Sequence, residues 1–274
     1  MKKDTFLKKA FISFFEDDVP SMAAQLAFYI NVAFFPFIVF MFIIISTTPL
    51  LGEENLYDLI SILPNQTANL VYDVLHHVST SKSIAIASGV VSLWSMSNAI
   101  VTITKALNKF YDVEENRNFI KTRLIGIFFA ILILVTILLN FVLILAGSLI
   151  GSFLIKFWPR YYVLWNVLRI LVPFALMSVL FAFIYKTLPN INLSFKKSFL
   201  GAIFSSVMWT IFSAVFSYYV NNFAKYDIIY GSIAGVVVLI TWVFISSYII
   251  LIGGEINAFK AGYFHKKEIK RKIR

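Results

Sequence analysis

Six residues between positions 88 and 105 carry groups that an otherwise apolar stretch has little reason to keep. Ser88, Ser92, Ser95, Asn98, Thr102 and Lys105 follow one another at intervals of four, three, three, four and three. Those intervals put them on one face of a helix. Hydroxyls, an amide and an ammonium on one face are the makings of a water-accessible path between helices. The competing explanation is that small polar residues let membrane helices pack closely and hydrogen-bond across, and Val91 and Ala99 fall in the same arc. Asn98 and Lys105 weigh toward the path, because both are costly to leave in lipid. A second set, Ser206, Thr210, Ser213, Ser217 and Asn221, has similar spacing, and there packing is favoured.

Other polar residues stand singly. Gln25 and Tyr29 share a helix face, Asn31 points elsewhere, and Pro36 interrupts the pattern a few residues on. A broken helix with amides nearby is where many transporters hold substrate; it is also how a helix bends around a neighbour. Asn140 and Arg169 lie isolated within apolar runs. Arg169 follows Trp165 by one turn, near the end of its run, where snorkelling competes with function. Glu255 sits near the end of the last apolar run, where a base such as Lys105 could pair with it. His76 and His77 are adjacent and so face different ways on a helix, which argues against a metal site. The chain has no cysteine, which excludes disulfides, zinc–thiolate sites and iron–sulfur clusters. Nucleotide-binding loops, dinucleotide fingerprints, nucleophile elbows and zinc-helix motifs are missing. No catalytic residue, cofactor or metal is therefore expected.

The elements that must position these residues are membrane helices. Of 274 residues, 59% are hydrophobic and 14% charged, against about 25% charged in soluble domains; mean hydropathy is +0.83. Such a chain cannot clothe a soluble globule. Apolar runs long enough to span a bilayer recur throughout, and their continuity favours helices over a barrel. The expected architecture is all-α, one integral membrane domain over residues 1–274, with spans near 22–48, 83–104, 124–155, 162–188, 198–221 and 228–258. Residues 1–20 read as an interfacial amphipathic helix ending near Asp17, Asp18 and Pro20. Residues 49–82 read as two amphipathic helices on the other side, separated at Pro64 and Asn65. Residues 259–274 form a basic tail.

The net charge of +10 is placed at segment ends and tails, which points to topology and anionic lipid headgroups rather than to nucleic acid. Four Lys and Arg fall in the N-terminal segment, five in 105–123, three in 186–197 and seven from Lys260 onward, 19 in all; the opposite side has four. By the positive-inside rule both termini are cytoplasmic.

Several stretches resemble the YihY/BrkB family of bacterial membrane proteins. They are MAAQLAFYINVAFFPF (22–37), LWSMSNAIVTITKALNKFYDVEENRNF (93–119), YKTLPN (185–190), LGAIF (200–204) and YGSIAGVVVLITWVFISSYIILIGGEINA (230–258), in order and over nearly the whole chain. The last is the most specific, with glycines, Trp242, Glu255 and Asn257 in place within a long apolar helix. Gln25 and Asn31 depart from the smaller or apolar residues of many relatives. The resemblance implies a six-helix protein of a bacterial cytoplasmic membrane. Some members carry a ribonuclease label and others a virulence or serum-resistance label. A ribonuclease fits this chain badly, since phosphodiester hydrolysis needs clustered carboxylates or histidines and the acidic residues here are scattered. The expectation is a transport-class protein moving a lipid or lipid-linked envelope molecule, with membrane lipids as partners and a homo-oligomer allowed. A scaffold or regulator of envelope assembly is the main alternative, and a membrane-embedded enzyme the third.

Overall fold

The structure is a computed structural model in which residues 14–47, 82–157, 159–222 and 233–263 are described. The amphipathic helices expected in 49–82, most of the N-terminal segment and the end of the basic tail lie outside these residues. The fold is an all-α polytopic membrane bundle. Among the described residues there are six long helices: α1 (Val19–Thr47), α2 (Lys82–Phe110), α3 (Phe119–Phe157), α4 (Tyr162–Thr187), α5 (Phe195–Asn222) and α6 (Ala234–Lys260). Each contains a stretch apolar and long enough to cross a membrane.

α2, α3 and α5 extend beyond the expected spans because a helix need not stop where the hydrocarbon does, while α4 ends at Thr187 and α6 begins at Ala234 rather than at 228. α2 continues to Phe110 and α3 begins at Phe119, leaving only a short connection. α3 has 39 residues, about 58 Å at 1.5 Å per residue, well over the ~30 Å of a bilayer core. α1 runs through Pro36 and α4 through Pro173 as helix on both sides. Proline inside a helix removes one backbone bond, and neighbouring helices tolerate this in membranes. Two aspartates mark breaks in a left-handed backbone conformation: Asp18, just before α1, at φ 57°, and Asp112, just after α2, at φ 52°. After α2 the Val113 N–H reaches back to the Asn108 carbonyl at 3.0 Å, the closure that commonly ends a helix.

Neighbours in sequence are neighbours in space, from α1 to α6 in order, and α6 then packs back on α1. The helices thus form a closed ring, with α6 also touching α2. One end of this ring carries the 111–118 and 188–194 connections; it is called the basic end here. The main core lies there. Val19, Ala23 and Leu26 of α1 meet Ala99 to Tyr111 of α2, Phe129 of α3, Phe181 to Leu188 of α4, Ala202 of α5, and Leu251 and Ala258 of α6. Toward the far end the clusters are small: Ala27 with Leu239 and Val243, and Phe216 with Val220 and Val238.

Candidate functional site

Polar groups gather at three places near the basic end. The first joins α4, α5 and α6. The Tyr185 hydroxyl donates to the Ile250 carbonyl at 2.6 Å and lies 2.8 Å from Ser205 Oγ, which itself reaches the Ile249 carbonyl at 3.1 Å. Asn257 accepts from the Gly201 N–H at 2.7 Å and donates to the Ser198 carbonyl at 2.9 Å. All three side chains, Tyr185, Ser205 and Asn257, are buried. Gly201 and Gly253 make this possible. A Cβ on Gly201 would run into the Gly253 carbonyl, and one on Gly253 into Ser205 Oγ. The two helices cross at backbone contact, where small residues let interhelical hydrogen bonds form.

The second place ties the two connections together. Asn108, near the end of α2, donates to Glu115 Oε2 at 2.8 Å and accepts from the Asn190 N–H at 2.7 Å. Arg117 grips the same carboxylate through Nε and Nη2, both at 2.6 Å, and also donates to the Leu188 carbonyl at 2.7 Å. Asn190 donates to the Glu114 carbonyl at 2.9 Å. The Arg117 hydrogen bonds hold the Glu115 carboxyl below its ordinary range, against a smaller opposing effect of burial. Beside this knot, burial raises the Tyr111 phenol pKa, and its ring meets Tyr263 edge-on at 5.2 Å.

The third place lies between α2 and α3. Arg123 donates through Nη1 to Asn98 Oδ1 at 2.8 Å and Ser97 Oγ at 3.2 Å. Its guanidinium lies over the Trp94 ring at 3.9 Å. Gly126, one turn further along α3, brings the helices close: a Cβ there would meet Ser97 Oγ at 2.5 Å.

The six-residue face of α2 divides accordingly. Ser92, Ser95 and Thr102 are buried, and Thr102 hydrogen-bonds to the Asn98 carbonyl. Ser88 is half-buried, and Asn98 sits at the edge under Arg123. Lys105 is exposed, and no ion pair joins it to Glu255, so the pairing considered from sequence does not form. The reason is angular. α2 turns Leu107 toward Gly254 of α6, and two residues' separation puts Lys105 about 200° away around the helix. Glu255 is half-buried on α6.

The remaining candidates stay apart. Gln25 is exposed on α1. Asn31 and Asn140 bond to their own helices, at the Ala27 and Thr136 carbonyls. Arg169 lies in α4, and its side chain is outside the described part. Sequence reading missed Tyr185, Ser205, Asn257, Asn108, Arg117 and Arg123 as partners in one region. Three of the quoted stretches, 93–119, 185–190 and 230–258, supply Asn108, Arg117, Tyr185 and Asn257, and that convergence is the signal that could have found them.

The family model described as Virulence factor BrkB matches residues 10–272. The chain belongs to the BrkB family. A relative named "Putative ribonuclease-like protein YfkH", from Bacillus subtilis, is 34% identical over 269 residues, 96% of each chain. A UPF0761 membrane protein of Alteromonas mediterranea is 27% identical, covering 92% of this chain and 86% of that one. Another, of Mannheimia succiniciproducens, is 25% identical over 98% and 97%. No solved structure matches. The BrkB-family chain is thus a multi-pass bacterial membrane protein.

Proposed function

We propose that this BrkB-family protein is a transport-class membrane protein that moves an amphipathic molecule, a lipid or a lipid-linked envelope precursor, with its basic end in the cytoplasm. The observation that carries this reading is the uneven packing of α3, α4 and α5. From Ser178 onward α4 buries Ser178, Phe181, Ala182, Ile184 and Tyr185. From Tyr161 to Met177, none of its described side chains is buried, and Val163, Leu164, Val167, Leu168, Ile170, Leu171 and Val172 are exposed over more than half its circumference. The far part of α5 buries Phe216 and Val220 but exposes Ile211, Val215 and Tyr218 on another face, and α3 exposes Ile131, Val135 and Leu139. Asn140, Asn166, Thr210 and Ser217 lie in these same parts. A ring sealed at one end and loose along one wall at the other suits lateral entry of a molecule with both apolar and polar parts.

The test uses vesicles carrying a headgroup-labelled fluorescent phospholipid and a membrane-impermeant quencher. Vesicles with the protein should lose fluorescence beyond the outer-leaflet fraction. Identical quenching in protein-free vesicles would sink the lipid reading. The 19 basic residues on one side against four on the other support the orientation; reporter fusions after Glu115 and Asn192 should report cytoplasm and fusions near Asn65 the outside, and a cytoplasmic report near Asn65 would reverse it.

A non-transporting scaffold of envelope assembly is the second reading, and the filled, interlocked basic end favours it. An unchanged lipid and solute profile in a deletion strain would select the scaffold. Enzymatic activity is not part of either reading. In support, no three His, Cys, Asp or Glu among the described residues form a metal-holding group, and Glu115 is occupied by Arg117 and Asn108. The purified protein should leave RNA intact; cleavage lost on Glu114→Gln or Glu255→Gln would contradict that.

A further inference from the structure

Arg123 is a full charge with an incomplete set of partners. Its guanidinium has three nitrogens, all donors. Nη1 serves Asn98 and Ser97. Nε is shielded and has no hydrogen-bond acceptor. Nη2 meets no acceptor among the described residues, and no carboxylate pairs with the group there. A buried or half-buried charge in a protein ordinarily has a counter-charge. Here the neighbours are instead two neutral polar groups and two aromatic rings, Trp94 at 3.9 Å and Phe119 at 5.6 Å from the guanidinium carbon.

The setting says where the counter-charge comes from. Trp94 is 52% exposed and Phe119 73% exposed, so the rings that sandwich Arg123 also face outward. Trp94, Asn98 and Lys105 fall on one ridge of α2 at helical spacing, and Lys105 is exposed two turns toward the basic end. An exposed indole, an arginine that can fork onto two oxygens and an exposed lysine two turns nearer the basic end suit one class of ligand. We propose that Arg123, Trp94 and Lys105 form a docking site for the phosphate headgroup of an anionic membrane phospholipid in the leaflet at the basic end. The acyl chains would follow the exposed apolar ridge of Val91, Val90 and Ile86. Arg supplies the planar fork that phosphate oxygens accept, and each basic group near such a surface adds about 1 kcal/mol, or about fivefold in affinity. Asn98 then has a role separate from any path through the bundle: it aims the guanidinium from below. The site does not depend on the transport reading.

The test is a lipid titration of the full-length chain purified in detergent and followed by native mass spectrometry, with phosphatidylglycerol, phosphatidylcholine and inorganic phosphate as probes. Wild type should hold phosphatidylglycerol more tightly than phosphatidylcholine. Lys105→Gln should weaken phosphatidylglycerol about fivefold and Arg123→Gln at least as much, while Lys196→Gln, an exposed lysine at the start of α5, should change nothing. If Arg123→Gln does not give folded protein, Lys105→Gln carries the comparison, because its side chain is exposed. Equal affinity for the two lipids would overturn the site, and so would a Lys105→Gln protein indistinguishable from Lys196→Gln. Displacement of phosphatidylglycerol by an equal concentration of inorganic phosphate would overturn the lipid assignment by showing a soluble anion to be the occupant.

Discussion

Around Tyr185 and around Val167 the same helix lives under different rules. At Tyr185, α4 has its hydroxyl on α6 backbone and Ser205, its ring stacked near Phe181, and no exposed surface. Five turns earlier, at Val167, it offers apolar side chains to its surroundings on most sides. Hydrophobic sequence is common to both parts, so hydrophobicity does not decide which is packed. What differs is the supply of small residues and hydrogen-bonding pairs. Gly201, Ser205, Gly253 and Asn257 let α5 and α6 approach to backbone contact, and lipid offers no hydrophobic drive to bring helices together without such features. The far halves have fewer of them, such as Trp242 donating to Ser213 at 3.2 Å.

Substituting glycines should show the contrast most strongly. Gly201→Ala places a methyl against the Gly253 carbonyl, and neither backbone can yield without parting the helices. The expected loss is about 3 kcal/mol or more, visible as a collapse of the monodisperse peak after mild heating. Gly151→Ala, at the far end, meets only Trp165 among the described residues, at 3.7 Å, an ordinary contact, and should shift stability by less than about 0.5 kcal/mol. Equal effects would erase the distinction between the two ends.

Hydrogen-bond deletions come next. Asn257→Ala leaves the Gly201 N–H and the Ser198 carbonyl without their partner, at about 2–3 kcal/mol by thermal dispersion measurements. Tyr185→Phe should cost about 1–3 kcal/mol. The far-end counterpart, Trp242→Phe, removes one half-buried bond and should cost under about 1 kcal/mol beyond the change in ring size. A Trp242 loss as large as that of Asn257 would move the structural centre away from the basic end.

The smallest effect concerns acid. Glu115 has its folded pKa depressed, chiefly by Arg117. Its contribution is therefore present above the ordinary carboxylate pKa and is lost as pH falls through the lower folded value. Because the Glu115 side chain keeps 29% of its surface in solvent, screening limits the effect on global stability, and the readout belongs in the loop. Hydrogen exchange at 113–118 should rise as pH falls below the ordinary carboxylate range, after correction for intrinsic rates, while that of α5 near Ser205 should not. Glu115→Gln should remove the pH dependence.

The architecture was legible because its signals are additive. Apolar length and charge at the ends sum over many residues, and six helices follow whatever any one residue does. The spacing of Ser88 to Lys105 puts Ser92, Ser95 and Thr102 on one face, and all three are buried. It could not reveal that Asn98 lies at the edge, because that depends on Arg123 arriving from α3 across a close contact at Gly126. Arg123 read only as one more positive charge. Likewise Tyr185 and Asn257 are unremarkable in their own helices, and their value comes from residues 20 and 56 positions away. Periodicity reports which face a residue shares, not which helix arrives opposite it.

The closed ring sets an order on the protein's manufacture. α6 fills the gap between α5 and α1 and also touches α2, so the surfaces awaiting it on those earlier helices stay uncovered until α6 leaves the ribosome. Gly253 and Asn257, which complete the α5 crossing, are made only after the whole of α5. A chain stalled before α6 would present unsatisfied groups at Gly201 and Ser205 to the insertion machinery and to membrane proteases. α6 thus acts as a seal on the bundle: until it is in place, the ring stays open between α5 and α1.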